Sequence, residues 1–152
     1  EKVNGIVIHY TANPGTGAKA NRDYFESRKD QENTAVNKVS SHFVVGLDGE
    51  IIQCIPLNEI AYASNDRNQD TISIECCHPG KNGKFNKKTY HSLVKLCAWL
   101  CVRYEIADKT DIIRHYDVTG KLCPLYYVKH PSKWNVLRTD IWNELLDSQY
   151  KN

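Results

Sequence analysis

Between Asp111 and Pro124 the chain reads DIIRHYDVTGKLCP, which sets His115, Lys121 and Cys123 within nine residues of one another. Three explanations fit such a grouping: a metal held by imidazole nitrogen and thiolate sulfur, a nucleophilic thiol with a histidine base, or a packed corner without chemistry. A catalytic zinc ion takes three protein ligands and keeps a fourth position for water. Seven residues separate His115 from Cys123, more than one helical turn spans, so a loop has to fold back to bring both to one ion. Gly120 permits that bend, and Pro124 fixes the backbone just after the thiol. A third donor is required. His9 is the best placed, because it closes the strand-like run VNGIVIH at residues 3–9, and neighbouring strand ends can present side chains to a common point. Glu75 stands in the apolar run TISIECC at residues 71–77. An unpaired carboxylate there would cost several kcal/mol, so it needs a partner or a task. Lys121 by itself reads as an ordinary surface lysine.

These residues need elements to hold them. Residues 3–9 have the β-branched content of a strand, and TANPGTGA after them is loop chemistry. Residues 18–30 are polar and helix-compatible, with Tyr24 and Phe25 as the expected buried points. The runs 41–47 and 50–55 flank Asp48-Gly49, the dipeptide of a type I′ hairpin turn. Residues 71–77 form a strand expected to be buried on both faces. From Asn86 to Tyr104 the residues Tyr90, Leu93, Val94, Cys97, Leu100, Cys101 and Tyr104 recur at three- and four-residue spacing, the signature of a helix packed by one side on a sheet. A short strand at 111–114 leads into the histidine, and a closing helix at 134–146 turns Trp142, Leu145 and Leu146 inward. With no internal repeat or linker, the whole of residues 1–152 is expected to be one α/β domain.

Composition narrows the function. Apolar residues make up 41% and charged residues 25% of the 152, and no apolar run approaches the roughly 20 residues needed to span a bilayer, so no membrane insertion is expected. Residues 1–80 carry 7 Lys and Arg against 11 Asp and Glu, and residues 81–152 carry 13 against 7. A basic second half suits an anionic polymer, yet its cations are scattered without aromatic interleaving, which argues against nucleic acid. The six cysteines do not read as a disulfide framework. Cys97 and Cys101 lie one turn apart in an apolar stripe, and Cys76 and Cys77 are adjacent in a strand, where they point to opposite faces. They read as small reduced hydrophobes, so folding in a reducing cytoplasm is expected. The chain opens on Glu1 without methionine or an apolar leader, as an excised domain would.

IVIHYTAN at 6–13, SSHFVVGLDGEIIQCIPL at 40–57, TISIE at 71–75 and RHYDVTGKLCP at 114–124 together resemble the zinc-dependent N-acetylmuramoyl-L-alanine amidases of the type-2 class. That class includes phage endolysins and bacterial autolysins and is related to peptidoglycan recognition proteins. The resemblance implies a central mixed β-sheet flanked by α-helices, with Zn2+ held by His9, His115 and Cys123. It implies that Glu75 is the general base for water at the zinc and that Lys121 faces the developing oxyanion. The implied reaction is hydrolysis of the amide between N-acetylmuramic acid and L-alanine in bacterial peptidoglycan, by a monomeric catalytic domain that reaches the cell wall by release or secretion. A wall-binding domain, if the full-length product has one, lies beyond Asn152.

The chain also departs from the family pattern. Tyr62-Ala63 stands where many members carry an aromatic-His pair, and Ser41 stands where some place a tyrosine, which shifts the work toward Glu75 and Lys121. His42 is assigned to packing beside the site, and His78, His91 and His130 to the surface or an interface. Two rivals remain at this stage: a peptidoglycan-binding module that kept the fold and lost the chemistry, and a cysteine hydrolase with Cys123 as nucleophile and His115 as base.

Overall fold

The computed structural model describes residues 2–28 and 40–150. Strand β1 (Gly5–Tyr10) lies inside a five-stranded sheet of order β3-β2-β4-β1-β5, with β2 (Phe43–Val45), β3 (Ile51–Gln53), β4 (Thr71–Cys76) and β5 (Ile112–Arg114). β1 runs parallel to β4 and β5, and β4 runs parallel to β2, while β2 and β3 are antiparallel. The helices are α1 (Ala18–Arg28), α2 (Lys87–Arg103), α3 (His115–Thr119), α4 (Leu125–Lys129) and α5 (Pro131–Tyr150). The mixed α/β sheet expected from the sequence is the one observed.

Alternation along β1 and β4 sorts their side chains onto two faces. Ile6, Ile8, Ile72, Ile74 and Cys76 pack with Leu93, Cys97 and Leu100 of α2 and Leu137 and Ile141 of α5, all buried. Each such aliphatic side chain contributes about 1.5–3 kcal/mol when fully buried, so this face anchors the domain. The opposite face carries His9, Ser73, Glu75 and Cys77, with α1 laid across it so that Ala18 meets Val44 and Cys77. The site is therefore built on the more polar side of a sheet whose other side is a dry core.

The hairpin differs from the expected two-residue turn. Gly46 N–H donates to the Glu50 carbonyl at 2.8 Å and Gly49 N–H to the Gly46 carbonyl at 3.1 Å, which leaves a three-residue connection, Leu47 to Gly49. Gly49 has φ +83° and Asp48 is not in the positive-φ region, whereas a type I′ turn needs both. The reason is tertiary. The first two turns of α2 grip the loop: Asn86 caps the helix by accepting from Thr89 N–H at 2.8 Å and donates to the Leu47 carbonyl at 2.9 Å, Thr89 Oγ1 donates to the Gly46 carbonyl at 2.7 Å, and Ser92 Oγ to that of Gly49 at 2.6 Å.

At its other end α2 closes with Ile106 N–H on the Cys101 carbonyl and Glu105 N–H on that of Val102, the double bond of a Schellman cap. Glu105 takes the left-handed position at φ +54°. Of the helix expected over 18–30, residues 18–28 are helical, and residues 29 and 30 lie outside the described residues. Phe25 is partly buried against Val44 and Cys77, but Tyr24 is 50% exposed because it faces the open groove at the edge of α1. In α5, Leu145 is buried and Trp142 partly so, while Leu146 is 42% exposed, one residue past the buried stripe.

Candidate metal centre and active-site groove

His9 and Glu75 are directly paired positions on β1 and β4, so both side chains leave the same face near the carboxyl ends of their strands. β5 flanks β1 on the other side, Ile8 pairing with Arg114, which puts His115 one residue beyond the ladder at the start of α3. Arg114 and Asp117 form the box that starts this helix: Asp117 accepts from the Arg114 backbone N–H at 2.9 Å and from its guanidinium at 2.8 Å. The helix stops at Gly120, φ +82°. There the chain folds back, as the spacing required: Tyr116 N–H donates to the Cys123 carbonyl at 3.0 Å, bringing the thiol over His9.

His9 Nδ1 lies 3.7 Å from Cys123 Sγ and 3.9 Å from Glu75 Oε1. The His9 and His115 rings are 4.9 Å apart at 66°. One donor atom each from His9, His115 and Cys123 lie within 4.8 Å of one another. Tetrahedral zinc with bonds of about 2.0–2.3 Å places its donors roughly 3.3–3.6 Å apart, so these three residues fit that ion after a contraction on the order of 1 Å. The chemistry of the set agrees: two imidazole nitrogens and one thiol sulfur, all on buried residues, make a borderline-soft group of donors.

Electrostatics sets the protonation states. Burial lowers His9 to about 3, with His115 and Lys121 adding to the effect, and burial followed by Lys121 lowers His115. Both rings are neutral at pH 7 with lone pairs to give. Burial, then the Glu75 charge, pushes the Cys123 thiol up to about 12, against opposing help from the Tyr10 N–H and Lys121. Burial raises Glu75 to about 8, and Lys121 draws it back down. The thiol and the carboxyl therefore hold protons that a cation would displace.

His9, Glu75, His115, Lys121 and Cys123 all line one groove of about 390 Å³, together with Asn21 and Tyr24 of α1 and with Tyr62, Asn65 and Asn68. Glu75 opens onto it, 14% exposed. The other histidines stay apart. His42 is buried, accepting from Ser73 N–H at 3.0 Å through Nδ1 and donating through Nε2 to the Glu59 carbonyl at 2.7 Å, so it ties β4 to the loop after β3. His91 and His130 are exposed as expected. His78 is not on the surface: it is fully buried, bonded through Nδ1 to the Gly80 carbonyl at 2.7 Å and packed on the Tyr10 ring. The six cysteines are free, and Cys76 and Cys77 enter opposite cores. Sequence reasoning missed Ser64, whose hydroxyl is 3.1 Å from His9 Nε2. Its one signal was its place beside Ala63, where the chain leaves the family pattern.

A family model described as N-acetylmuramoyl-L-alanine amidase matches residues 1–125. The chain belongs to that amidase family. Among curated members it is 35% identical to the N-acetylmuramoyl-L-alanine amidase CwlL of Bacillus licheniformis over 153 aligned positions, covering 91% of this chain and 41% of that protein. It is 33% identical to the N-acetylmuramoyl-L-alanine amidase BlyA of Bacillus subtilis (strain 168), covering 88% and 40%. This amidase-family chain thus spans about two fifths of the length of the curated relatives it matches. Among solved structures it resembles the PlyG catalytic domain, with a TM-score of 0.78 at 27% identity over 95% of this chain and 83% of that one. It also resembles the catalytic domain of XlyA, at 0.73 and 28% over 92% and 86%. Among the described residues no helix is long and apolar enough to cross a membrane.

Proposed function

We propose that this domain hydrolyses the amide joining the lactyl group of N-acetylmuramic acid to L-alanine in peptidoglycan, with zinc held by His9, His115 and Cys123. The observation that carries the proposal is the convergence of those three donors on one groove with Glu75 beside them and Lys121 on its rim. When bound, zinc supplies a Lewis acid for the scissile carbonyl and brings the pKa of water toward about 7.

The chain's own residues do the rest. Glu75, once ionised, accepts the proton of the attacking water at its carboxylate and returns it to the alanine nitrogen as the amide breaks. Lys121 presents an ammonium to the carbonyl oxygen as it gains negative charge, an interaction stronger in the transition state than with the flat amide. Asn65 gives the groove wall an amide group suited to a peptide and a sugar, and the Tyr24 and Tyr62 rings give it faces on which sugar rings can lie. The substrate is the bacterial cell wall, met outside the compartment where six free cysteines fold. We assign the work to a monomeric catalytic unit spanning residues 1–152.

The cysteine-hydrolase rival is disfavoured by the thiol itself. A nucleophilic cysteine has its pKa lowered in an exposed, electropositive setting, whereas Cys123 is 3% exposed and pushed up to about 12. The test is mass spectrometry of digested peptidoglycan: new free L-alanine amino groups are expected, lost on chelation and restored by zinc. New reducing sugar ends would refute the amidase reading, and activity indifferent to chelation would refute the metal.

A further inference from the structure

The His9 ring is held at both ends. Nδ1 faces Cys123 Sγ at 3.7 Å and Glu75 Oε1 at 3.9 Å, and Nε2 meets Ser64 Oγ at 3.1 Å. Ser64 is fully buried, and its hydroxyl is also 3.3 Å from Ser73 Oγ on β4. Its position is fixed by a turn built for it: Asn68 Oδ1 accepts from Ser64 N–H at 2.6 Å and from Ala63 N–H at 3.1 Å, and Arg67 N–H closes on the Ser64 carbonyl at 3.1 Å. Ser73 is itself locked, its N–H on His42 Nδ1 and its carbonyl accepting from Ser41 Oγ at 2.9 Å. By contrast, among the described residues no side chain is hydrogen-bonded to the His115 ring. His9 is thus the imidazole whose rotation and tautomer the protein dictates.

We infer that Ser64 is a positioning residue for His9: its hydroxyl accepts the Nε2–H, leaves Nδ1 bare toward the donor cluster, and directs its own proton to Ser73 Oγ. The inference rests on the zinc reading above. A metal-ligating histidine whose second nitrogen has a fixed partner keeps one tautomer and one ring orientation, and loss of that partner commonly weakens metal binding 10- to 100-fold. Ser64 directly follows Ala63, the position at which the chain lacks the histidine of the family pattern.

The test compares wild type with Ser64→Ala and Ser64→Thr, which keeps the hydroxyl. Zinc affinity, measured by competition with a chromophoric chelator, is expected to fall 10- to 100-fold in Ser64→Ala and to return to within a few-fold of wild type in Ser64→Thr. Nitrogen NMR of the metal-free proteins should show His9 as the Nε2–H tautomer in wild type and a mixture of tautomers in Ser64→Ala. Should Ser64→Thr fold poorly, Ser73→Ala serves instead, with a smaller loss of affinity expected because only the second link is cut. Unchanged affinity and tautomer in Ser64→Ala overturn the inference, as does lower stability of the metal-free protein with zinc affinity intact, which would mark the hydroxyl as packing. If wild type binds no zinc, the functional reading fails, and the tautomer measurement still decides the role of Ser64.

Discussion

Adding zinc to the metal-free domain at pH 7 should release between one and two protons per ion. The Cys123 thiol, pushed up to about 12 by burial and the neighbouring carboxylate, must lose its proton to become a ligand, which accounts for one. His9, lowered to about 3, and His115, also lowered, are neutral already and release none. Glu75, raised to about 8, is mostly protonated at pH 7, and a dication beside it favours the carboxylate, which supplies up to one more. Removing the thiol proton at pH 7 costs about 7 kcal/mol, five pH units at 1.36 kcal/mol each, a cost that metal–ligand bonding must offset and that shrinks as pH rises. Zinc affinity should therefore climb between tenfold and a hundredfold per pH unit near neutrality.

Calorimetric titration in buffers of different ionisation heat reads the proton count directly. Glu75→Gln should bring it down toward one, and Cys123→Ser should remove most of the affinity. A count near zero, or a Cys123→Ser protein that binds zinc as wild type does, would refute the assignment of that sulfur to the metal.

Three further outcomes follow from the same geometry. Lys121→Ala should lower kcat by about 10²- to 10³-fold with zinc content unchanged by elemental analysis; equal activity would remove Lys121 from the chemistry. In the metal-free protein, His9 is depressed from 6.5, so its contribution to stability is present above 6.5 and lost as pH falls toward 3, while Glu75 is raised from 4.5, so its contribution is present below 4.5 and lost as pH rises through 8. Between 4.5 and 6.5 these two slopes cancel, so urea unfolding should show a rise there only through His115 and His42, both also lowered by burial, and then a decline of about 2 kcal/mol between pH 6.5 and 8, which Glu75→Gln abolishes; a decline that persists in that variant would place its cause elsewhere. Glu105→Gly, at a left-handed cap position, should stabilise the domain by about 0.5–1 kcal/mol, read as a higher urea midpoint, and destabilisation would mean the Glu105 side chain makes a contact that outweighs its backbone strain.

What the sequence disclosed and what it hid follow from the range of the forces involved. α2 and β4 were legible because burial of one face or both writes a period into the chain. The Gly120 reversal was legible because the distance from His115 to Cys123 left no other route. The three-residue hairpin turn was not, since Asp48-Gly49 is compatible with more than one connection and the choice is made by Asn86, Thr89 and Ser92, some 40 residues away. His78 looked like a surface residue because nothing in CCHPG shows that Tyr10 will cover it. Ser64 was hidden most completely: one serine in the polar run SNDRNQD carries no period and no motif, and its role exists only once β1 has delivered His9 to within 3.1 Å.

Sheet register and site geometry are the same constraint in this domain. His9, Glu75 and His115 sit at the carboxyl ends of the parallel strands β1, β4 and β5, where loops leave the sheet and open α/β sheets bind their ligands. Because strand side chains alternate, slipping β4 by one residue against β1 would send Glu75 into the face occupied by Ile72, Ile74 and Cys76 and bring an apolar side chain to His9. Such a slip would bury a carboxylate among aliphatic groups and expose apolar ones to the groove, so the dry core on one face enforces the pairing that the proposed zinc site needs on the other. The residues that most firmly hold His9 opposite Glu75 are thus Ile8 and Ile74, which never touch the groove.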